Sequence, residues 1–264
     1  MTIVTRFAPS PTGRLHLGHA YSALFGYKQA KDTNGRFILR IEDIDTARCK
    51  PEWEQGIIDD LQWLGLDWEP DIRRQSEHFG DYTNALDELQ DKGLLYPCFC
   101  SRTEIRNEIA ASGGAPHGPE GPVYPGTCRN LSSDERAAKI DAGEAYALRL
   151  DMDKALKHVN KTLYWHDRGK GKQQATPEIL GDAVLDRKET PASYHLSVTV
   201  DDHIQGITLV TRGEDLFYAS HLHRLLQELL NLDVPEWHHH HLLLDENGER
   251  FAKRNDSVTL QYLR

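Results

Sequence analysis

Arg6-Phe7-Ala8-Pro9-Ser10-Pro11-Thr12-Gly13, followed closely by His16-Leu17-Gly18-His19, is the stretch on which the fold turns. Just before it, Thr2 to Phe7 carries Ile3, Val4 and Phe7 and predicts a short buried strand. The run from Pro9 to Gly13 is turn-forming and ends that strand. A helix is expected from about Gly18 to Lys31, with Ala20, Leu24, Tyr27 and Ala30 on one face and Asn34-Gly35 as its stop. Phe37 to Ile41 then reads as a second strand that leads into Glu42-Asp43-Ile44-Asp45. Strand, turn, helix and strand in this order open a nucleotide-binding α/β domain.

Downstream, Trp53 to Leu64 places Ile57, Ile58, Leu61 and Leu64 at helical spacing. Ser76 is expected to cap a further helix that carries Phe79, Tyr82, Leu86 and Leu89 and stops at Gly93. From Tyr96 the texture changes. Residues 111–128 are rich in Gly and Pro and cannot hold a long regular element. A polar helix (Ser132 to Ala142) and short strands (Ala145 to Leu150, Thr162 to Trp165) follow, and 167–178 reads as loop. Apolar strands are expected at Ser197–Val200 and Gly206–Val210, then a helix from Ser220 to Asn231. These textures divide the chain into a first α/β half (1–95), an inserted subdomain (96–190) and a second α/β half (191–264).

The totals exclude some classes. With 39% hydrophobic and 27% charged residues the chain has a globular composition. No apolar run approaches the roughly 18 residues of a membrane span, and the N-terminus lacks a signal-peptide layout. A cytoplasmic protein is expected, without a membrane partner and, since nothing demands a dimer, as a monomer. The formal net charge of -10 gives no sign of nucleic acid, although a local basic patch would suffice for an RNA partner.

Two clusters carry chemistry. His16 and His19 lie where the first strand gives way to a helix, so both imidazoles can face a bound polyphosphate beside the helix N-terminus. Gly18 permits close approach of an adenine or ribose. Taken alone, the motif reads equally as a helix start with exposed histidines. Cys98, Cys100 and Cys128 form the second cluster, with Cys49 apart. A reduced cytosolic chain would use such thiols for metal, and three thiolates suit a tetrahedral Zn2+. Histidine is the usual fourth ligand and His117 is available; a metal-free loop is the alternative. His238 to His241 reads as alternating histidines on a strand before a turn.

The blocks Arg6–Gly13, His16–His19 and Arg40-Ile41-Glu42-Asp43-Ile44-Asp45 together resemble the glutamyl subgroup of class I aminoacyl-tRNA synthetases. Tyr194–His203 and Gly206–Asp215 resemble the second half of that catalytic domain, so the resemblance spans nearly all of the chain. It implies a Rossmann-type α/β catalytic domain with an inserted, zinc-bearing subdomain. The first block (Arg6, Phe7, Ala8, Pro9, Ser10) would cradle the amino acid and ATP, and His16, Gly18 and His19 would hold phosphates. Arg6 and Arg212 would take carboxylates of L-glutamate, Glu42 its ammonium, and Tyr194 would close the pocket. The rival for Arg6 is a structural ion pair with Glu42. In a zinc-bearing insertion of relatives the ligands are Cys, Cys, Tyr and Cys, which matches Cys98, Cys100, Tyr124 and Cys128. The family's lysine loop corresponds to Arg250-Phe251-Ala252-Lys253-Arg254, with Lys253 as the catalytic cation; Arg250 and Ala252 depart from the pattern, and Asn255 is a candidate to compensate.

The implied reaction is attack of the glutamate α-carboxylate on the α-phosphorus of ATP, with Mg2+ on the phosphates, followed by transfer to a hydroxyl. Because the chain ends soon after Arg254, it resembles a shortened branch of the family that glutamylates the queuosine base in the anticodon of tRNA-Asp. Alternatives are the catalytic fragment of an enzyme that charges a tRNA 3′ end, an RNA-binding module without catalysis, and an adenylating enzyme with a small-molecule acceptor.

Overall fold

The computed structural model describes residues 2–111, 117–119, 121–243 and 259–264. The lysine loop, including Arg250, Ala252, Lys253 and Asn255, lies outside them.

β1 (Val4–Phe7) is buried along its whole length, as an interior parallel strand must be. It pairs in parallel with β2 (Arg36–Ile41) after the crossover helix α1 (Leu17–Lys31). α1 turns Ala20, Ala23, Gly26 and Ala30 to the sheet, while Leu24 is 41% exposed. The apolar stripe expected through Leu24 is thus replaced by small residues, because the helix lies directly on the strands. At Gly26 an added Cβ would come within 2.7 Å of Thr211 Oγ1, and its carbonyl accepts a hydrogen bond from Thr5 Oγ1 at 2.9 Å. α2 (Pro51–Trp63) follows, then β3 (Arg73–Arg74) extends the parallel sheet beside β2. Ser76 does not cap α3 (Phe79–Asp91): its N–H and Oγ donate to the Asp43 carboxylate at 2.8 and 2.5 Å, and His78 precedes the helix.

The middle of the chain forms a second body. β4 (Leu95–Cys98) leads to α4 (Arg102–Ala111) and the short hairpin β5 (His117–Gly118) and β6 (Gly121–Pro122). α5 (Ser133–Asp141) starts at the predicted Ser132, in a capping box with Glu135. β7 (Ala147–Leu150) pairs antiparallel with β4, and α6 (Met152–Val159) follows it. β8 (Tyr164–Asp167), near the strand expected at Thr162–Trp165, makes a hairpin with β9 (Gly171–Gln174), which lies in the stretch expected to be loop. β10 (Val184–Asp186) completes the sheet β10-β7-β4.

The return to the parallel α/β layer differs from expectation. Tyr194–Ile204 is a helix, α7, not a strand. Ser193 caps it by accepting from Leu196 N–H at 3.4 Å. Leu196 through Asp202 are all buried, so the helix is surrounded and has no polar face from which its period could be read. The strand comes later, β11 (Leu209–Gly213), followed by α8 (Ala219–Leu229) and β12 (Glu236–His240). β11 and β12 are parallel, and β8 adds to β12, giving the order β11-β12-β8-β9. Thr208 N–H donates to Val4 O at 3.0 Å, which sets the start of β11 beside β1. The chain ends in α9 (Leu260–Leu263), whose Leu260 is buried against α2 and α1. No helix among the described residues is long and apolar enough to cross a membrane.

Candidate active site

Where β1 and β11 lie side by side, their carboxyl ends and the N-terminus of α1 open a crevice of the kind that parallel α/β sheets use for ligands. A cavity of about 240 Å3 sits there. Arg6, Phe7, Ala8, Pro9, Ser10, Glu42, Tyr194 and Arg212, the side chains expected to hold an amino acid, all line it, with His19 and Ser22 beside them.

His16 caps α1 with its ring: Nδ1 accepts from Gly18 N–H at 3.1 Å, and His19 Nδ1 accepts from His16 N–H at 3.2 Å. The rings lie 3.8 Å apart, centroid to centroid. Because each Nδ1 is an acceptor, the neutral rings carry their proton on Nε2, next to the positive end of the helix. This suits anionic oxygen.

Arg6 is already paired. Its Nε and Nη2 donate to Asp202 Oδ1 and Oδ2 at 2.9 and 3.3 Å, and Nη1 donates to Thr211 O at 3.2 Å. The acid that meets Arg6 is therefore Asp202, not Glu42. Arg40, buried in β2, also binds Asp202. The neighbouring Asp201 accepts from Arg73 Nε and Gln75 Nε2, each at 2.7 Å, and from Tyr82 Oη at 3.0 Å. One turn of α7 thus binds arginines from β1, β2 and β3. Burial favours protonation of Asp202, but Arg6 and Arg40 outweigh it and hold the carboxyl below its usual range. Asp201 and Asp202 were not singled out from sequence. The polar pair at the end of an apolar run was the available signal, and reading that run as a strand concealed it.

Glu42 is in no ion pair among the described residues. Burial pushes its carboxyl up to about 7, against the pull of Arg40 and Arg6. Arg212 shows the converse. Its guanidinium is buried and, among the described residues, bonded only to neutral groups: Nε to His239 Nε2 at 3.1 Å, Nη1 to Tyr194 Oη at 3.2 Å and His223 Nδ1 at 3.3 Å, and Nη2 to Ser220 Oγ at 2.5 Å. Burial, with the Arg212 charge, keeps His223 well below its ordinary range and brings His239 down to about 3. Among the described residues no carboxylate touches Arg212. A buried cation held by neutral acceptors draws an anion, because its desolvation is only partly repaid.

The cysteine cluster is assembled as predicted. The Sγ atoms of Cys98, Cys100 and Cys128 lie within 4.8 Å of one another. Tyr124 Oη is 3.4 Å from Cys98 Sγ and 3.7 Å from Cys100 Sγ, and it accepts from Cys128 N–H at 2.9 Å. Sulfurs around a tetrahedral zinc stand roughly 3.8 Å apart, given a bond of about 2.3 Å, so this donor set fits the ion. The side chain of His117 lies outside the described residues. Cys49 stands apart from the cluster, its thiol 3.7 Å from Ser10 Oγ.

A second cavity, about 650 Å3, opens between the cysteine-bearing body and the catalytic layer. It shares Tyr194 and Leu216 with the smaller cavity, and Tyr124, Arg149 and Arg187 form part of its wall. Arg187 also borders a third cavity of about 150 Å3, in which Ser10, Glu42 and Tyr194 recur. The three cavities adjoin.

Residues 2–263 match the family described as tRNA synthetases class I (E and Q), catalytic domain. A glutamyl-Q tRNA(Asp) synthetase of Rhodobacter capsulatus is 47% identical over 270 residues, covering 99% of this chain and 95% of that protein. One of Symbiobacterium thermophilum is 43% identical, covering 98% and 80%. A glutamate–tRNA ligase of Aquifex aeolicus is 38% identical over 99% of this chain, but only 54% of its own length is matched. The crystal structure of a glutamate tRNA ligase from Elizabethkingia meningosepticum in complex with its amino acid superposes with a TM-score of 0.81 at 32% identity. It covers 97% of this chain, which spans about half (52%) of that one.

Proposed function

Because the chain belongs to the class I tRNA synthetase family of glutamate and glutamine, we propose that it activates L-glutamate with ATP and transfers it to the queuosine base in the anticodon of tRNA-Asp. The observation that carries the glutamate reading is Arg212, a buried cation on neutral partners facing the same small cavity as Glu42. A glutamate side-chain carboxylate supplies the missing anion, and its ammonium meets Glu42. Arg6 contributes charge and the second N–H of each Nη, since Asp202 and Thr211 engage only one N–H on each of its three nitrogens.

The chemistry needs no covalent enzyme intermediate. ATP enters as its Mg2+ complex, with its phosphates at the N-terminus of α1 against His16 and His19 and its nucleoside near Gly18. The glutamate α-carboxylate attacks the α-phosphorus and pyrophosphate departs. Lys253, outside the described residues, is the further cation assigned to the developing charge. Catalysis then rests on positioning and charge stabilisation.

Acceptor choice is supported by the degree of similarity: the glutamyl-Q tRNA(Asp) synthetases of Rhodobacter capsulatus and Symbiobacterium thermophilum are 47% and 43% identical, against 38% for the glutamate–tRNA ligase of Aquifex aeolicus. The adjoining cavity of about 650 Å3 has room for a nucleoside. The cysteine-bearing body within 96–190 then becomes the acceptor-binding unit. Cys98, Cys100, Tyr124 and Cys128 would hold a structural zinc that clips this body together.

The test is glutamate-dependent ATP–pyrophosphate exchange without tRNA, followed by mapping of labelled glutamate on tRNA. Exchange, with label in the anticodon of queuosine-containing tRNA-Asp, is expected. Label at a 3′ end would establish the alternative acceptor, and absence of exchange with either RNA present would overturn glutamate activation.

A further inference from the structure

Within the histidine run on β12, His239 is set apart by what it joins. Its side chain is fully buried between Arg212 of β11 and Asp167 at the end of β8. Nε2 faces Arg212 Nε at 3.1 Å, and Nδ1 lies 2.6 Å from Asp167 Oδ2. That oxygen also accepts from the backbone N–H of His239 at 3.1 Å, while Asp167 Oδ1 accepts from Gly169 N–H and Lys170 N–H at 2.9 Å each.

The donor and acceptor assignments leave one solution. Arg212 Nε can only donate, so His239 Nε2 must present a lone pair. The proton is therefore on Nδ1, directed at a carboxylate that also accepts from three backbone N–H groups. We propose that Asp167 and His239 are positioning residues for recognition of the substrate's side-chain carboxylate: Asp167 selects the His239 tautomer, and His239 anchors Arg212 without neutralising it. An acid placed directly on Arg212 would compete with the substrate carboxylate. A neutral imidazole holds the same N–H and leaves the charge available. This assignment rests on the cavity being a glutamate site.

The replacement Asp167→Asn shows why the pair acts as a unit. With the amide oxygen kept on Gly169 and Lys170, its NH2 group faces His239 Nδ1. The ring must then move its proton to Nε2, which points it at the Arg212 N–H.

The test uses ATP–pyrophosphate exchange on the full chain for the wild type, Asp167→Asn, His239→Gln and His239→Met, with melting curves for each. The glutamine amide oxygen can replace Nε2 as acceptor, whereas methionine fills similar space without that acceptor. His239→Met and Asp167→Asn should raise the glutamate KM and lower the preference for glutamate over glutamine by about tenfold or more, the worth of one charge-assisted hydrogen bond. The ATP KM should stay within about twofold, and His239→Gln should stay within a few-fold of wild type throughout. A His239→Met enzyme that matches His239→Gln in glutamate KM and selectivity would overturn the assignment. A wild-type chain that shows no glutamate exchange would instead remove the glutamate site itself.

Discussion

Arg212 and Glu42 face one small cavity with opposite electrostatic problems. Arg212 is a cation whose described partners are all neutral, and Glu42 is a carboxyl that burial has brought up to about 7. Replacing Arg212 by Leu should weaken glutamate activation by about 2–5 kcal/mol, the range for losing one member of a buried hydrogen-bonded charge pair. Steady-state exchange would read this as a raised glutamate KM. For Glu42 the sign follows from its raised value. The ammonium of the substrate binds the ionised carboxylate, so below about pH 7 binding must first remove a proton. The glutamate KM should therefore climb by about tenfold per unit as pH falls below that value, and Glu42→Gln should abolish the climb. A flat KM profile between pH 5.5 and 8 would rule out this role for Glu42. Both residues were visible in the sequence through the blocks that resemble the family. Their asymmetry was not, because it depends on which groups lie within a few ångströms.

At the scale of elements, α7 and the cysteine body show where local sequence misleads and where it suffices. Val198, Thr199 and Val200 favour a strand, but this segment is buried on every side and Ser193 caps it as a helix. Tertiary burial outweighs the modest cost of β-branched residues in a helix. The consequence is that Asp201 and Asp202 fall on one turn and bind arginines from three parallel strands. Asp202→Asn would leave Arg6 and Arg40 with less compensation in a buried network. A cost of about 3–5 kcal/mol is expected, a fall in melting temperature of roughly 6–20 °C in a chain of this size. A shift of a degree or less in a thermal melt would refute it. In the cysteine body the spacing grouped the three sulfurs and the family resemblance added the Tyr124 phenol; β4, the following turn and the Cys128 segment bring them to one point. The purified chain should carry about one zinc per molecule, and Cys128→Ser should lower that content while leaving α1 and its histidine cap intact. Metal analysis of wild type and variant decides it.

Across the whole molecule, the two bodies meet around the large cavity that shares Tyr194 and Leu216 with the amino-acid site. Arg187 borders this cavity and the small one beside Glu42, and its side chain has no hydrogen-bonded partner among the described residues. If the acceptor enters there, Arg187→Ala should leave ATP–pyrophosphate exchange near the wild-type rate and weaken transfer to tRNA by about tenfold or more, as loss of a charged contact to a nucleotide would. Equal transfer by both proteins would place the acceptor elsewhere. Such a surface could not be anticipated from composition, because a net charge of -10 says nothing of a local cation between two bodies.

What the sequence determined by itself was written in local pattern and in the order and spacing of its motifs. The strand–turn–helix opening and the polar helix from Ser132 follow from residues a few positions apart, and the cysteine spacing and the ordered family blocks from motifs in sequence order. Only the tertiary structure decided that Leu196–Asp202 is a helix, that Asp202 and not Glu42 pairs with Arg6, and that His239 links Asp167 to Arg212. The last two join residues tens to nearly two hundred positions apart. Their energies come from burial and charge in a shared low-dielectric interior, which exists only once the layers have packed.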